Sequence, residues 1–450
     1  MEPVFPPPQG VSYARRLGLF SATLAVIGGI IGSGVFLGPE VVAARVRTAG
    51  LTLAAWVVGG GVALAGAFCF GELGARRPRA GGGYVYLRDA FGPLPAFLYG
   101  WALLLVIATG ATAAVAVTFA NYAVALVGLS PTATLPLAVG AIVVVCAINY
   151  VGVTPAALTQ NAFTLLKLAA VTALIVAGLA VGSPSAPPPV RLTPPDGPVG
   201  IVLALGAALV PILFAYGGWQ QTNFIAEELI APERDLPRAL VSGVVGVVAV
   251  YLLVNLAYLR VLGVAGLAAS TAPAADVMAR VLGPLGRRFI SAGIAVSTFG
   301  FLNLVILVTP RVFQAMAADG VFLQGLARLH PRYRTPTRAI AFMGAWSIAL
   351  AVSGTYAELL DYVVFGDWIF FGLTVASLFL YRRRATGAPE PGFRVPAYPW
   401  TPALFVLAAA YVVTSSIVAN PKNAVIGTCL LALGVPAYGL ARPRRRGAPA

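Results

Sequence analysis

Apolar residues fill this chain in long runs, separated by short polar and basic clusters. The runs cover residues 17–44, 51–75, 91–127, 133–151, 155–182, 199–229, 237–262, 286–318, 336–354, 357–381, 401–418 and 422–441. Crossing the hydrocarbon layer takes roughly 20 helical residues. Lipid offers the backbone no hydrogen-bond partner, so a lone spanning segment has to be helical. The pattern therefore predicts an all-α polytopic membrane protein with about 12 transmembrane helices. The first, third, sixth and eighth runs are longer than a straight span needs, and are expected to be tilted, broken or continued outside the membrane.

Two runs are opened by glycine near their middle. Ile27-Gly28-Gly29-Ile30-Ile31-Gly32-Ser33-Gly34-Val35-Phe36 lies in the first, and Phe214-Ala215-Tyr216-Gly217-Gly218-Trp219 about half the chain later in the sixth. A helix opened at mid-depth is tolerated where its freed amides and carbonyls face protein, water or a ligand. Two such breaks at corresponding positions point to a substrate site between them, the organisation of a secondary transporter. At Gly32, Ser33 and Gly34 the freed amides and the positive end of the following half-helix suit a carboxylate. Carbonyls released beside Gly217 and Gly218 can accept from an ammonium, with Phe214 as a lid. The alternative is close helix packing through small residues at the first break and a glycine kink among interior aromatics at the second.

The composition agrees: of 450 residues 59% are hydrophobic and 10% charged, with a mean hydropathy of +0.88. That leaves no room for a sizeable soluble domain. The net charge of +15 lies in short clusters between apolar runs without aromatic platforms, which reads as positive loops and not as a nucleic-acid surface. With the N-terminus inside, 21 of the 30 basic residues fall on the cytoplasmic side, 8 outside, and Lys167 in the membrane. This bias predicts a multi-pass protein of the cytoplasmic (inner) membrane with both termini cytoplasmic. Cys69, Cys146 and Cys429 sit in apolar stretches and His330 is the single histidine, so no disulfide, metal site or cofactor is expected, nor a Ser-His-Asp triad. The stretch before Arg15-Arg16 lacks an apolar core, so no cleaved signal peptide is expected. The resulting division is a cytoplasmic tail (1–16), a first five-helix unit (17–182), an extracellular Pro-rich linker (183–198), a second five-helix unit (199–384), two further spans (385–441) and a basic cytoplasmic tail (442–450).

Intramembrane charges need a reason. Lys167 is the only lysine inside a run; it either replaces a coupling cation or exchanges a proton, or else snorkels to the interface. Asp367 lies near the middle of the tenth run, and either faces the substrate pocket, carries a proton, or caps a break at Gly366. Glu358 and Asp361 read as interfacial. Glu72, Glu227 and Glu228 fall near inner helix ends, within reach of Arg76, Arg77, Arg234 or Arg238 as structural or gate-forming pairs.

Several stretches together resemble prokaryotic members of the amino acid, polyamine and organocation superfamily, and most closely its L-type amino acid transporter branch. They are Ile31-Gly32-Ser33-Gly34-Val35-Phe36, Gly71-Glu72-Leu73-Gly74 with Gly82-Gly83-Tyr84, and Phe214-Ala215-Tyr216-Gly217-Gly218-Trp219 with Glu227-Glu228 and Pro232. Lys167, Thr309-Pro310-Arg311 with Asp319-Gly320, and His330-Pro331 with Thr335-Pro336 extend the likeness over essentially the whole chain. The resemblance implies a LeuT-type fold in which spans one to five and six to ten are inverted repeats. It implies that the amides of Ser33 and Gly34 hold the substrate carboxylate, with Ile30 and Gly32 beside them. Carbonyls of Phe214, Ala215 and Gly217, opened at Gly218, would receive the α-ammonium. Phe214 would be the outer gate, and Lys167 would occupy the cation position of sodium-coupled relatives. Two departures stand out: Val127–Thr132 lacks the cysteine that links animal L-type transporters to a glycoprotein, so no disulfide-linked heavy chain is expected, and Asp367 replaces a neutral residue beside Trp368.

The expected function is sodium-independent exchange or proton symport of neutral L-amino acids, with Ile30, Gln220 and Asp367 setting side-chain preference. A cationic amino acid or polyamine carrier of the same fold is the rival. An intramembrane aspartyl hydrolase is disfavoured because Asp361 and Asp367 share one helix, and a channel because interior charges are few.

Overall fold

The computed structural model describes residues 11–32, 34–181, 197–354, 356–384, 392–419 and 421–441. Ser33, most of the linker, residues 1–10 of the first tail and the whole of the basic tail (442–450) lie outside the described residues, as do the side chains of Glu358 and Asp361.

Every regular element among the described residues is helical, apart from one isolated bridge between Leu17 and Leu229. The first run is divided into α1 (Leu19–Ile30) and α2 (Gly34–Val46), and the second is α3 (Ala49–Arg76). A short helix, α4 (Gly83–Phe91), precedes the third span, which comprises α5 (Pro93–Ala102), a π-helical turn (Leu103–Ile107) and α6 (Ala108–Val127). Next come α7 (Thr134–Tyr150), α8 (Val153–Val176) and α9 (Gly197–Ala215), the last followed by a 3₁₀ stretch, Trp219–Glu228. The chain continues through α10 (Pro232–Ala268), α11 (Pro273–Val308), α12 (Pro310–Ala318), α13 (Thr337–Ser353), α14 (Tyr356–Arg384), α15 (Trp400–Ala419), α16 (Pro421–Ala432) and α17 (Gly434–Ala441).

Nine helices of the described chain are long and apolar enough to cross a membrane. The divided pair α1 and α2, the shorter α13 and the charge-bearing α14 bring the spans to about the twelve that the hydropathy pattern predicts. The chain is an all-α polytopic membrane protein with its first and sixth spans broken.

Boundaries differ where proline and glycine act together. The eighth run, expected at 286–318, begins at Pro273, bends at Gly283 with φ of 62°, and is interrupted again before α12 by Pro310. Glycine takes this left-handed backbone without steric cost, so helical residues continue on both sides of it. The seventh run is likewise extended past a bend at Gly263, where φ is 67°. The third run acquires its π-helical turn beside the central cavity, and such turns recur at functional positions. Local sequence starts other helices: Thr48 accepts from the Leu51 amide at the head of α3, and prolines begin α10, α11 and α12, where their missing N–H costs nothing.

Helix α10 packs against α1, α2 and α3, while α11 packs against α6 and α8. A polar ladder ties α11 and α8 to α7 and α1. Asn149 donates to Asn303 at 3.0 Å, Asn303 to Gln160 at 3.2 Å, Gln160 to Thr164 at 3.2 Å, and Thr164 to the Leu24 carbonyl at 3.3 Å. α7, α8 and α11 therefore form a hydrogen-bonded frame along the first half of the broken span.

Candidate functional site

The two breaks touch. A Cβ built on Gly218 would lie 2.2 Å from the carbonyl oxygen of Gly29, and one on Gly34 would lie 2.9 Å from Cα of Ala215. Gly218 also has φ of 108°, a conformation that side chains rarely adopt. Glycine is required here both by backbone angle and by the approach of the opposite half-helix.

At the first break Ile31 donates back to Ile27 and Gly32 to Ile30, closing α1; α2 then starts afresh at Gly34. The opening amides of α2 have no preceding turn to pair with, which leaves a positive helix end in the middle of the bundle. At the second break Gly217 donates to the Phe214 carbonyl at 3.0 Å, and the Gly218 amide donates to Oε1 of Gln220 at 3.0 Å. The Tyr251 hydroxyl of α10 joins the two breaks, lying 2.9 Å from the Ile30 carbonyl and 3.1 Å from that of Ala215. Its single proton serves one of them at a time.

Between the breaks is a cavity of about 290 Å³. Ile30, Gly32, Gly34, Phe214, Ala215, Gly217, Gly218, Gln220 and Asp367, singled out from sequence, all border it. Phe214 is 47% exposed at the end of α9. The remaining wall comes from α5, α6, α11 and α14, with Tyr99, Thr298, Phe301 and Trp368 prominent. Tyr99, Thr298 and Tyr251 escape a reading of sequence because single tyrosines and threonines in apolar runs are common. The seven-residue spacing of Tyr251 and Tyr258, two turns of one α10 face, is the signal that was available. Tyr258 donates to the Val35 carbonyl at 3.2 Å, so both hydroxyls contact the first broken span.

Lys167 lies behind the cavity instead of in its wall. Wholly buried, it donates to the carbonyls of Gly28 at 3.0 Å and Ile31 at 2.7 Å, and Ser297 of α11 donates to the same Ile31 carbonyl at 3.3 Å. Snorkelling is thereby excluded: the ammonium joins α1, α8 and α11 at the point where the first span opens.

The arginine-rich end of the bundle is shut. Glu228 and Arg311, both with no exposure, pair at 2.7 Å, and Leu17 lies against the same turn through backbone bonds of Arg16 and Leu17 to Glu228 and of Ile230 to Leu17. Glu72 receives Arg76 at 2.7 Å, Arg382 at 2.5 Å and the Val395 amide at 2.7 Å, while Arg88 pairs with Asp319 at 2.5 Å. Of the pairings expected from sequence, Glu72 with Arg76 is present. Glu228 instead finds Arg311, and Glu227 accepts from the Ala80 amide at 3.2 Å. Arg234 and Arg77 take the aspartates Asp235 and Asp89. Among the described residues no group of three His, Cys, Asp or Glu could hold a metal ion.

Residues 17–435 match the family model described as amino acid permease. The serine/threonine exchanger SteT of Bacillus subtilis (strain 168) is 31% identical over 427 residues, covering 94% of this chain and 96% of that protein. The b(0,+)-type amino acid transporter 1 of Homo sapiens is 33% identical over 421 residues, with coverage of 92% and 85%. The large neutral amino acids transporter small subunit 2 of Homo sapiens is 32% identical over 444 residues, with coverage of 96% and 81%.

Proposed function

Since the chain belongs to the amino acid permease family and is a transporter, not an enzyme, we propose that it moves neutral L-amino acids across the cytoplasmic membrane by sodium-independent exchange. The observation that carries this reading is the meeting of two helix breaks on one cavity, where a helix start supplies amides and a helix end supplies carbonyls. The substrate carboxylate sits on the amides at Ser33 and Gly34, beside Ile30 and Gly32. Its ammonium goes to the carbonyls around Phe214, Ala215 and Gly217, with Gly218 keeping the turn open and Gln220 bracing it through the Gly218 amide. Binding the charged groups with backbone atoms leaves the side chain to be selected by the rest of the cavity.

In this reading, spans one to five and six to ten are inverted repeats, and both termini are cytoplasmic, in keeping with the arginine distribution. The shut, arginine-rich end is then the cytoplasmic one, and Phe214 is the outer gate that closes over bound substrate. Opening the other way requires the Glu228–Arg311 closure to separate, and substrate shifts the equilibrium by its differential affinity for the two states. Sodium is unnecessary because the Lys167 ammonium already engages the carbonyls that a cation would otherwise take. The chain works without a disulfide-linked heavy chain, as the turn at Val127–Thr132 has no cysteine.

A second reading, proton symport, is favoured by one observation: Asp367 borders the cavity as an ionisable group at membrane depth. Uptake of radiolabelled alanine into proteoliposomes separates the two. Exchange requires unlabelled amino acid inside and ignores both sodium and an imposed proton gradient. Uptake into empty vesicles driven by the proton gradient replaces exchange with symport, and a strict sodium requirement overturns both readings.

A further inference from the structure

Among the described residues lining the cavity, Asp367 is the single charged side chain. It makes no hydrogen bond or ion pair among the described residues, whereas several polar groups of the same wall are engaged. Thr298 donates to the carbonyls of Ile294 and Ala295, both at 2.9 Å, Thr118 donates to Ala114 at 2.8 Å, and Oε1 of Gln220 is taken by the Gly218 amide. Gln221 lines the same cavity, and its Oε1 is buried with no hydrogen-bond partner. Lys167 is committed to two carbonyls of the first broken span and is not in the cavity wall. Asp367 is thus the one charged acceptor of the described wall, among neutral polar groups that include the Tyr99 hydroxyl and the Gln221 amide. Much of the remaining wall is apolar or aromatic, with Trp368, Phe371, Phe301, Ile107 and Leu103 among its residues.

We propose that Asp367 forms a side-chain subsite for cationic groups, so that the carrier takes L-amino acids with an ammonium-bearing side chain in addition to the neutral ones, and holds them more tightly than hydrocarbon side chains of the same length. The inference rests on the amino acid site proposed above and extends its substrates from neutral to cationic side chains. A lone carboxylate in a largely apolar enclosure gains most from a partner that brings both opposite charge and a donor, because such bonds are roughly twice as strong as neutral ones. With the α-carboxylate and α-ammonium on the two breaks, the distal ammonium of a lysine-like substrate has Asp367 as the one charged group of the described wall to meet. An acidic side chain meets like charge there and is excluded.

The test is competition against radiolabelled alanine exchange in proteoliposomes, using L-ornithine and its near-isostere L-norleucine, with L-glutamate as the like-charge probe. In the unmodified protein ornithine should compete about tenfold better than norleucine, with glutamate weakest. Asp367→Asn should bring the ratio of ornithine to norleucine competition from about ten to about one, read within the variant itself and so independent of any change in its overall exchange rate. Norleucine matching or exceeding ornithine in the unmodified protein overturns the proposal whatever the variant does, as does an undiminished ornithine advantage in Asp367→Asn. Alanine exchange without an ornithine advantage sinks this inference alone; absence of any amino acid exchange sinks the site assignment with it.

Discussion

Nζ of Lys167 donates to the carbonyl oxygen of Ile31 across 2.7 Å, at the residue where α1 ends. A charge on the fifth span thereby sets the shape of the first, and Ser297 adds the eighth to the same oxygen. Buried ammonium groups are costly unless such oxygens surround them, so the contact is a structural requirement of the fold.

Lys167→Ala leaves the Gly28 carbonyl without that donor and the Ile31 carbonyl with Ser297 alone in a dry interior, and an unsatisfied buried acceptor costs about 1–3 kcal/mol. Alanine exchange should fall by at least about tenfold in proteoliposomes carrying equal amounts of inserted protein. Exchange at the unmodified rate would remove Lys167 from the mechanism.

Gly218→Ala drives a methyl group to within 2.2 Å of the Gly29 oxygen at a φ of 108°. Backbone cannot yield as a side-chain tip does, so the two breaks must part and substrate binding should be lost. Gly246→Ala, where an added Cβ meets nothing within 4 Å, should transport normally. The comparison is made by alanine binding to purified protein; retained affinity in Gly218→Ala speaks against a shared site.

Tyr251→Phe removes the hydroxyl that faces the Ile30 and Ala215 carbonyls without changing the ring packing against Trp56 and Tyr216. The loss is of order 1 kcal/mol, which predicts a KM for alanine raised roughly fivefold. An unchanged KM would make Tyr251 a packing residue only.

Arg311→Met strips Glu228 of its buried partner and should lower stability by about 3–5 kcal/mol, whereas Glu228→Gln combined with Arg311→Met should cost less because no lone charge remains. Thermal unfolding in detergent measures both. If the pair also closes the bundle, a cysteine introduced beside it should react with a membrane-impermeant thiol reagent faster in the double variant than in an otherwise unmodified chain. Equal labelling would confine Glu228 and Arg311 to a structural role.

The broken first and sixth spans were legible in the chain because lipid forces the rest of each run into helix and glycine marks where that rule is relaxed. Lys167 and Asp367 were legible because ionisable residues at membrane depth are rare. Tyr251 was not: the hydroxyl meets a carbonyl 221 residues away, and nothing in an apolar run says which face of α10 points there. Glu228 illustrates the same limit, since several arginines lay nearer in sequence than Arg311, 83 residues distant. The bends at Gly263 and Gly283 were missed because hydropathy reports burial in lipid and is blind to a local change of φ.

By itself the sequence determined the solvent, the number of crossings and the places where the backbone opens, since each follows from one-dimensional facts: run length, charge and glycine. The tertiary structure decided what those openings face. It set Gly218 against Gly29, anchored Lys167 to Gly28 and Ile31, buried Glu228 with Arg311, and placed Asp367 in the cavity wall. Those pairings depend on how helices rotate and cross, which is a property of the packed bundle and of no single segment.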